Sequence, residues 1–594
     1  MTINNNLKAL RQLMSAQHID AYIIPSGDPH QSEYPAEYWQ SRQWISGFSG
    51  SMGYVAITQT HASVWTDSRY FIQCEMELQG TDFKMHKQLV QGAAEHIDWL
   101  CAELPKGSRV ACDGEMFSVG QIRAMQVAFG RAGLDLVTNA DLITPIWKDR
   151  PSLANNLIFE HDVKFSGRSR TQKLKDIRAK MKAKGADMHL VSTLDDIGWT
   201  LNLRGSDVEC NPVFIAYLVI DKAKSYLFIN PEQVPEDVKT LLNNDDIFIK
   251  NYNTISDFLS QLTDKQVIAI DTANLNFKLY NSLKKVRIKE TATFSSHMKA
   301  IKNKTEIKYL REVMVKDGVA LTKAFRWLDN TLEKRPVSEY EMASMIAQYR
   351  SDQPNYFGES FTAIIGYQSN GALNHYHPAA TGSALIKKEG MLLLDSGGQY
   401  LDGTTDITRT ITLGTPTDEQ KRNYTLVLKG HIALAVQKFP EGTKGIQLDT
   451  LARMHLWQQG LNFGHGTGHG VGFFMNVHEP PQGFTPILSS RGTTPHEEGM
   501  YSSNEPGFYK EGAYGIRIEN LVIVQKAEQT DFGQFLKFET ITLFPIDTQL
   551  IDTRLMTRPE KAWFNAYHKR VFQKLSPHLN DDEKTWLAGK CVKI

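Results

Sequence analysis

The stretch "NFGHGTGHGVGFFMNVHEPP", residues 462–481, holds three histidines and five glycines. Imidazole changes charge near neutral pH and is the commonest metal ligand, so this segment is the first candidate for chemistry. A phosphate loop would carry Lys followed by Ser or Thr, and "GHGVGFF" does not. A zinc-protease helix sets two histidines four apart with a glutamate between them. His465 and His469 have that spacing, but Gly-Thr-Gly lies between them, and glycine costs about 1 kcal/mol per helix position. An extended segment is expected instead. In it His465 and His469 share a face, because side-chain direction repeats every two residues. The flanking glycines let backbone approach a ligand closely. Taken alone, the pair fits a turn with a hydrogen-bonded histidine as well as it fits a metal site.

The flanking segments change that balance. Upstream, "LLLDSGGQYLDGTTDITRT" predicts a hairpin, with Met391–Leu394 apolar, Ser396–Gly398 as the turn and a Thr-rich return strand. Asp395 closes the first strand and Asp406 falls inside the second. Aspartate is depleted in strands, so Asp406 is either a solvent-facing partner of Arg409 or a functional group. Downstream, Glu505 precedes a Pro-Gly turn, and Glu519 interrupts the apolar strand "IRIENLVIV". Four carboxylates meeting at one buried point would repel by about 4 kcal/mol per pair at ~4 Å and an effective dielectric of 20. Two divalent cations would balance their four charges, and one imidazole completes the set without adding charge. An oxygen-rich set with one nitrogen favours Mn²⁺, with Co²⁺ or Zn²⁺ as alternatives. Two such ions about 3.5–4 Å apart can share a hydroxide and make it a nucleophile, which is hydrolytic chemistry.

The elements that must position these groups are legible in outline. "NLKALRQLMSAQHID" predicts a helix and "AYIIPS" a buried strand; "GYVAI" and "ASVWTDSRY" follow as strands and "SRYFIQCEMEL" as helix. The order basic helix, Ala-Asp or Ile-Asp, apolar strand returns in "RTQKLKDIRAKMKAKGADMHLVS". Trp44 with "GFSGS" and Trp199 with "RGS" mark the two copies, which implies two related α/β modules divided near residues 149–152. From about residue 300, "KNKTEIKYLREVMVKDGVALTKAFRWLDNTL" predicts a long helix with a Thr-x-x-Lys start. Ser338 and Glu341 form a capping-box signature for another. Helices before and among antiparallel strands make this last part α+β.

The whole chain sets bounds. At 594 residues it is long enough for several domains. Sixty-six basic residues cancel sixty-six acidic ones, so nucleic acid and anionic membrane have no support from net charge. Five cysteines lack CxxC spacing and read as free thiols of a reducing compartment. No apolar run reaches the ~18–20 residues of a membrane helix, and "MTINNNLKALRQLM" lacks the apolar core of a secretory signal. A cytoplasmic location is expected.

"DSGGQYLDGTTDITRT", "HGTGHGVGFFMNVHE", "NEPGFY" and "GIRIEN" resemble the motifs of the creatinase/methionine-aminopeptidase superfamily, whose catalytic domain is the pita-bread fold. Within it the chain resembles the three-domain X-Pro aminopeptidases of peptidase family M24. "PSGDPHQSEY", "ISGFSGS" and "WTDSRYF" are similar to that family's first N-terminal domain, and residues 170–290 to its second. The resemblance implies creatinase-like domains over 1–152 and 153–298 and a pita-bread catalytic domain over 299–594. It places the metal ligands on Asp395, Asp406, His469, Glu505 and Glu519, and further active-site histidines on His375, His465 and His478. It sets Arg517 beside Glu519, makes Glu505 the general base, and gives His478 the oxyanion, His375 the substrate or leaving group, and His465 the wall of the proline site. His377 matches no family role. The implied activity is hydrolysis of the N-terminal X-Pro bond of a peptide by a homodimer holding two divalent ions. An X-Pro dipeptidase (prolidase) and a non-catalytic binding module on the same fold are the alternatives.

Overall fold

A computed structural model describes residues 2–89 and 93–594. The chain forms two units, residues 1–163 with 168–296 and residues 164–167 with 297–594. Among the described residues no helix is long and apolar enough to cross a membrane.

The first unit contains two six-stranded sheets. One runs Lys84–Lys87, Ala62–Thr66, Tyr54–Thr58, Ala21–Ile24, Arg109–Cys112, Asp135–Val137. The other runs Ile247–Asn251, Ser225–Ile229, Tyr217–Asp221, Met188–Val191, Val267–Ile270, Arg287–Glu290. In both, the first strand in sequence pairs antiparallel with the second and parallel with the fifth. The faint sequence repeat is therefore a repeat of wiring. The helix Ile3–Ala16 precedes the first sheet, and Arg170–Lys184 precedes the second, started by a capping box from Ser169 and Gln172 and stopped by left-handed Gly185.

The second unit carries a six-stranded antiparallel sheet ordered Lys438–Pro440, Gly533–Thr540, Asn520–Thr530, Tyr501–Asn504, Gly468–Gly470, Glu479–Phe484. A three-stranded sheet holds Met391–Ser396 between Ile364–Tyr367 and Ile407–Thr412. The helix Lys304–Leu332 is capped by Asn303 with Glu306, two residues before the Thr-x-x-Lys signal. Asn303 accepts from the backbone amides of Thr305 and Glu306, satisfying donors that a helix start leaves unpaired. The helix Asp418–Ala435 is buried on every side from Asn423 to Ile432, as a helix in the middle of a core must be. Val427 and Ile432 pack there with Leu456, Val471, Leu521 and Ile523.

The predicted hairpin differs from expectation in its turn. Met391–Ser396 does pair with Ile407–Thr412, but Ser396–Gly398 runs straight on, and the chain reverses at 401–402 between two short strands. Gly397 serves close packing: a Cβ there would lie 2.0 Å from the Thr405 carbonyl oxygen. A Ser-Gly-Gly that reads as a turn by composition is here a seam between two strands.

Candidate metal centre

Every acid of interest stands at a strand end or break. Asp395 is one residue from the end of its strand, opposite Thr408. Asp406 falls between Gly403–Thr404 and Ile407–Thr412, Glu505 just past Tyr501–Asn504, and Glu519 between Tyr514–Arg517 and Asn520–Thr530. Asp406 and Glu519 are thus beside strands, where the ladder is already interrupted, rather than inside them as the sequence suggested. That placement resolves the conflict between an acid and a strand interior.

The groups converge. The ligand atoms of Asp406, His469 and Glu519 lie within 4.8 Å of one another. His469 Nε2 is 3.5 Å from Asp406 and 3.4 Å from Glu505. Asp395 joins through Arg517, whose Nη2 donates to its Oδ2 at 2.6 Å. Burial is the foremost cause that pushes Asp406 and Glu519 far above the ordinary carboxylate range, reinforced by the charges around them, Glu519 and Asp395 foremost for Asp406 and Asp395 and Glu505 for Glu519. Burial likewise raises Glu505 to about 7, with Arg517 pulling it back and Asp395 adding to the rise. Burial opposes the charge on Arg517, but Tyr509, Asp395 and Glu505 outweigh it and hold its pKa well above the usual value.

Two observations test whether this set suits cations. Asp395 Oδ1 is buried with no hydrogen-bond partner among the described residues, a costly state for a lone pair unless a cation takes it up. His469 Nδ1 lies 2.9 Å from the Gly470 carbonyl, which can only accept, so Nδ1 carries the proton. The Nε2 lone pair then faces two carboxylates, an arrangement a metal ion reconciles. The residues fit divalent cations.

Around the ligands, polar contacts fix their aim. Thr408 Oγ1 donates to Glu519 at 2.8 Å and Ser503 Oγ to Glu505 at 3.1 Å. Ser503 Oγ also accepts from the His469 amide at 3.0 Å. His465 follows a different route from the one expected: only Gly468–Gly470 is strand, so no shared strand face applies. Its Nε2 meets the Tyr509 hydroxyl at 2.8 Å, and Tyr509 accepts from Arg517 Nη1 at 2.7 Å. The glycine–histidine segment is held from below by a buried pair on one helix, Asp449 and Arg453. Arg453 donates to the carbonyls of Phe463 and His465, and Asp449 accepts from Thr467. His478 packs edge-on to His469 with ring centres 4.2 Å apart. His375 is half-buried beside Asn374, whose carbonyl accepts from Arg517 at 3.4 Å. His377 is exposed. Among the described residues Arg409 pairs with no carboxylate: it is 1% exposed and donates to the backbone carbonyls of Glu519, Phe544 and Pro545.

Gly468 sets the tightest seam beside a ligand. A Cβ there would stand 2.1 Å from the Ser503 carbonyl oxygen and 2.9 Å from Phe484. Gly468→Ala is expected to destabilise by roughly 1–3 kcal/mol, lowering the melting temperature by several degrees. A melt that overlays on wild type would show the seam has slack.

Comparison with known proteins places the architecture. Models of the creatinase/prolidase N-terminal domain match residues 6–144 and 149–306. Those of metallopeptidase family M24 and its C-terminal region match 308–526 and 534–594. A probable Xaa-Pro aminopeptidase P of Coprinopsis cinerea is 39% identical over 100% of this chain and 98% of its own length. Xaa-Pro aminopeptidase 1 of Dictyostelium discoideum is 39% identical over 99% of this chain and 96% of its own. The crystal structure of the Caenorhabditis elegans X-prolyl aminopeptidase, described as a cytosolic enzyme with a di-nuclear active site, superposes with a TM-score of 0.95 at 35% identity, covering 100% of both chains. A Bacillus anthracis Xaa-Pro dipeptidase matches 64% of this chain and 99% of its own, at 26% identity and a TM-score of 0.51. Fold and site together define a metallopeptidase with a pita-bread catalytic domain preceded by creatinase-type domains. The chain belongs to the aminopeptidase P family, the three-domain X-Pro aminopeptidases of family M24.

Proposed function

We propose that the protein removes the first residue from peptides with proline in second place, using two divalent cations held by Asp395, Asp406, His469, Glu505 and Glu519. The observation that carries this is the buried meeting of carboxylates and one imidazole in a chain similar over its whole length to Xaa-Pro aminopeptidases. When bound, the ions neutralise the carboxylates, polarise the scissile carbonyl and activate water at neutral pH. Mn²⁺ suits the oxygen-rich set best, with Co²⁺ or Zn²⁺ as substitutes.

The residues divide the rest of the work. Glu505 takes the proton of the attacking water and delivers it to the leaving nitrogen. His478 donates toward the oxygen that gains charge, a role in which a fixed donor in a buried site is worth most. His375 orients the substrate at the leaving side. His465, its ring tied to Tyr509, walls the proline subsite. Arg517 holds Asp395 in aim and keeps its neighbours ionised when the site is loaded. An X-Pro bond has no N–H, so selectivity comes from a pocket shaped for the ring that makes no demand for a donor.

The extra N-terminal module separates this chain from the dipeptidase, which matches only 64% of it. Assay of Arg-Pro-Pro against Gly-Pro with Mn²⁺ is expected to favour the tripeptide clearly. Cleavage of the dipeptide alone would make the protein a prolidase, and no metal-dependent cleavage of either would make it a binding module. A homodimer in the cytoplasm completes the proposal, checked by light scattering and by cell fractionation.

A further inference from the structure

We propose that the buried His431 is a positioning residue that fixes the spacing between Glu505 and Glu519 through one defined proton arrangement. His431 lies on the helix Asp418–Ala435 and is fully buried. Its Nδ1 is 3.1 Å from the carbonyl oxygen of Asn504, and the Asn504 amide returns a bond to the His431 carbonyl at 2.9 Å. Its Nε2 is 3.0 Å from Asn520 Nδ2. Asn504 and Asn520 face each other across two neighbouring strands, and they are the residues immediately before Glu505 and after Glu519. One imidazole thus spans both strand ends from which the two glutamates project.

The proton positions follow from chemistry. A carbonyl only accepts, so Nδ1 donates to Asn504. Nε2 is then the lone pair, and it accepts from the Asn520 amide. That turns Asn520 Oδ1 outward to accept from Arg409 Nη2 at 2.8 Å and from the Tyr567 hydroxyl at 3.2 Å. Arg409 also donates to the carbonyl of Glu519 at 2.6 Å and of Thr408 at 2.9 Å, and Thr408 stands opposite Asp395. Each donor meets an acceptor, and reversing either amide, or moving the ring proton to Nε2, would set like against like. The surroundings, burial first and then the Arg409 charge, keep the ring neutral, as this arrangement requires. The chain of contacts ties the backbone under Asp395, Glu505 and Glu519 to one helix and to Tyr567, without touching a ligand side chain. Outer contacts of this kind govern metal affinity because ligand spacing, rather than ligand identity, is what they hold.

This inference rests on the reading of the site as a metal centre, and the experiment separates the two. Mn²⁺ binding to EDTA-stripped protein is measured by calorimetry for wild type, His431→Phe and His431→Asn, alongside melting of the stripped proteins and steady-state kinetics on an X-Pro tripeptide. The phenylalanine ring keeps the shape and removes both bonds; the asparagine amide can restore the bond to the Asn504 carbonyl. Expected for His431→Phe is Mn²⁺ affinity about ten- to a hundredfold weaker, with kcat falling and KM within about threefold, and partial recovery of affinity in His431→Asn. Wild-type affinity in folded His431→Phe, which has lost both bonds, would overturn the positioning role. Should His431→Phe fail to fold, wild-type affinity in His431→Ala overturns it in the same way. Wild-type protein that takes up no Mn²⁺ would overturn the metal-centre reading instead.

Discussion

Asp406→Asn is expected to lose about 10³-fold or more in X-Pro cleavage while the cation-free protein melts no lower than wild type. The side chain keeps its shape and one oxygen but gives up its charge. Attraction between two unit charges at ~4 Å is about 4 kcal/mol at an effective dielectric of 20, and a divalent ion doubles it; each 1.36 kcal/mol is tenfold in rate or binding. In the stripped protein the sign reverses, because Asp406 is buried among Glu519, Asp395 and Glu505 and asparagine spares the fold the cost of burying or protonating that acid. Activity at saturating Mn²⁺ and melting in EDTA measure the two halves. An asparagine variant that cleaves as fast as wild type would defeat the metal-centre reading. One that loses activity only because it unfolds in EDTA would show that Asp406 holds the fold.

The second large effect is a pH dependence that changes direction when the cations are removed. Unfolded carboxylates titrate near 4; in the stripped fold Glu505 is raised to about 7, and Asp406 and Glu519 are raised well above their ordinary values, all first by burial. Between those limits the folded state binds more protons than the unfolded one, so these groups lend stability at acidic pH and withdraw it as pH rises toward 7 and beyond. Cation binding needs the same groups deprotonated and must release protons. Loaded protein is therefore expected to hold its melting temperature through pH 7–8 and to lose metal as pH falls below about 7. Melting scans from pH 5 to 8 with EDTA and with Mn²⁺, referred to Asp406→Asn, isolate the contribution, and a pH-stat records the protons. Metal uptake without proton release would show the acids already ionised.

Much of the site was legible because its residues violate local expectations. Asp406 beside Thr-rich strands, Glu519 in "IRIENLVIV" and histidines among glycines are placements that strand physics disfavours. The structure brings Asp406, Glu519 and His469 together, while His465 turns to Tyr509. What stayed hidden is what joins residues distant in sequence. Nothing near Tyr509 signals that its hydroxyl lies between His465 and Arg517, although its position four residues after Glu505 was a hint. A surface pairing with Arg409 is the bland alternative for Asp406, because charge pairing is the default use of an arginine in a strand; Arg409 instead donates to Asn520 and to backbone carbonyls up to 136 positions away. Gly397 was read as a turn because composition cannot tell a glycine that bends the chain from one that lets two strands touch. The N-terminal repeat was visible in the order of helix, strand and Trp, but the shared pairing directions of the two sheets are carried by burial patterns too diffuse to align.

Setting the acids where strands stop has a consequence for how the protein lives with changing supplies of metal. The hydrogen-bonded ladder ends at or within a residue of each carboxylate, and the segments on either side are anchored by Arg409, Asn520 and the buried helix that carries His431. Emptying the centre is therefore expected to lower stability at neutral pH without unravelling the strands that carry the acids. The cargo becomes exchangeable, and a cell short of one ion could run the same chain on another without making the protein afresh.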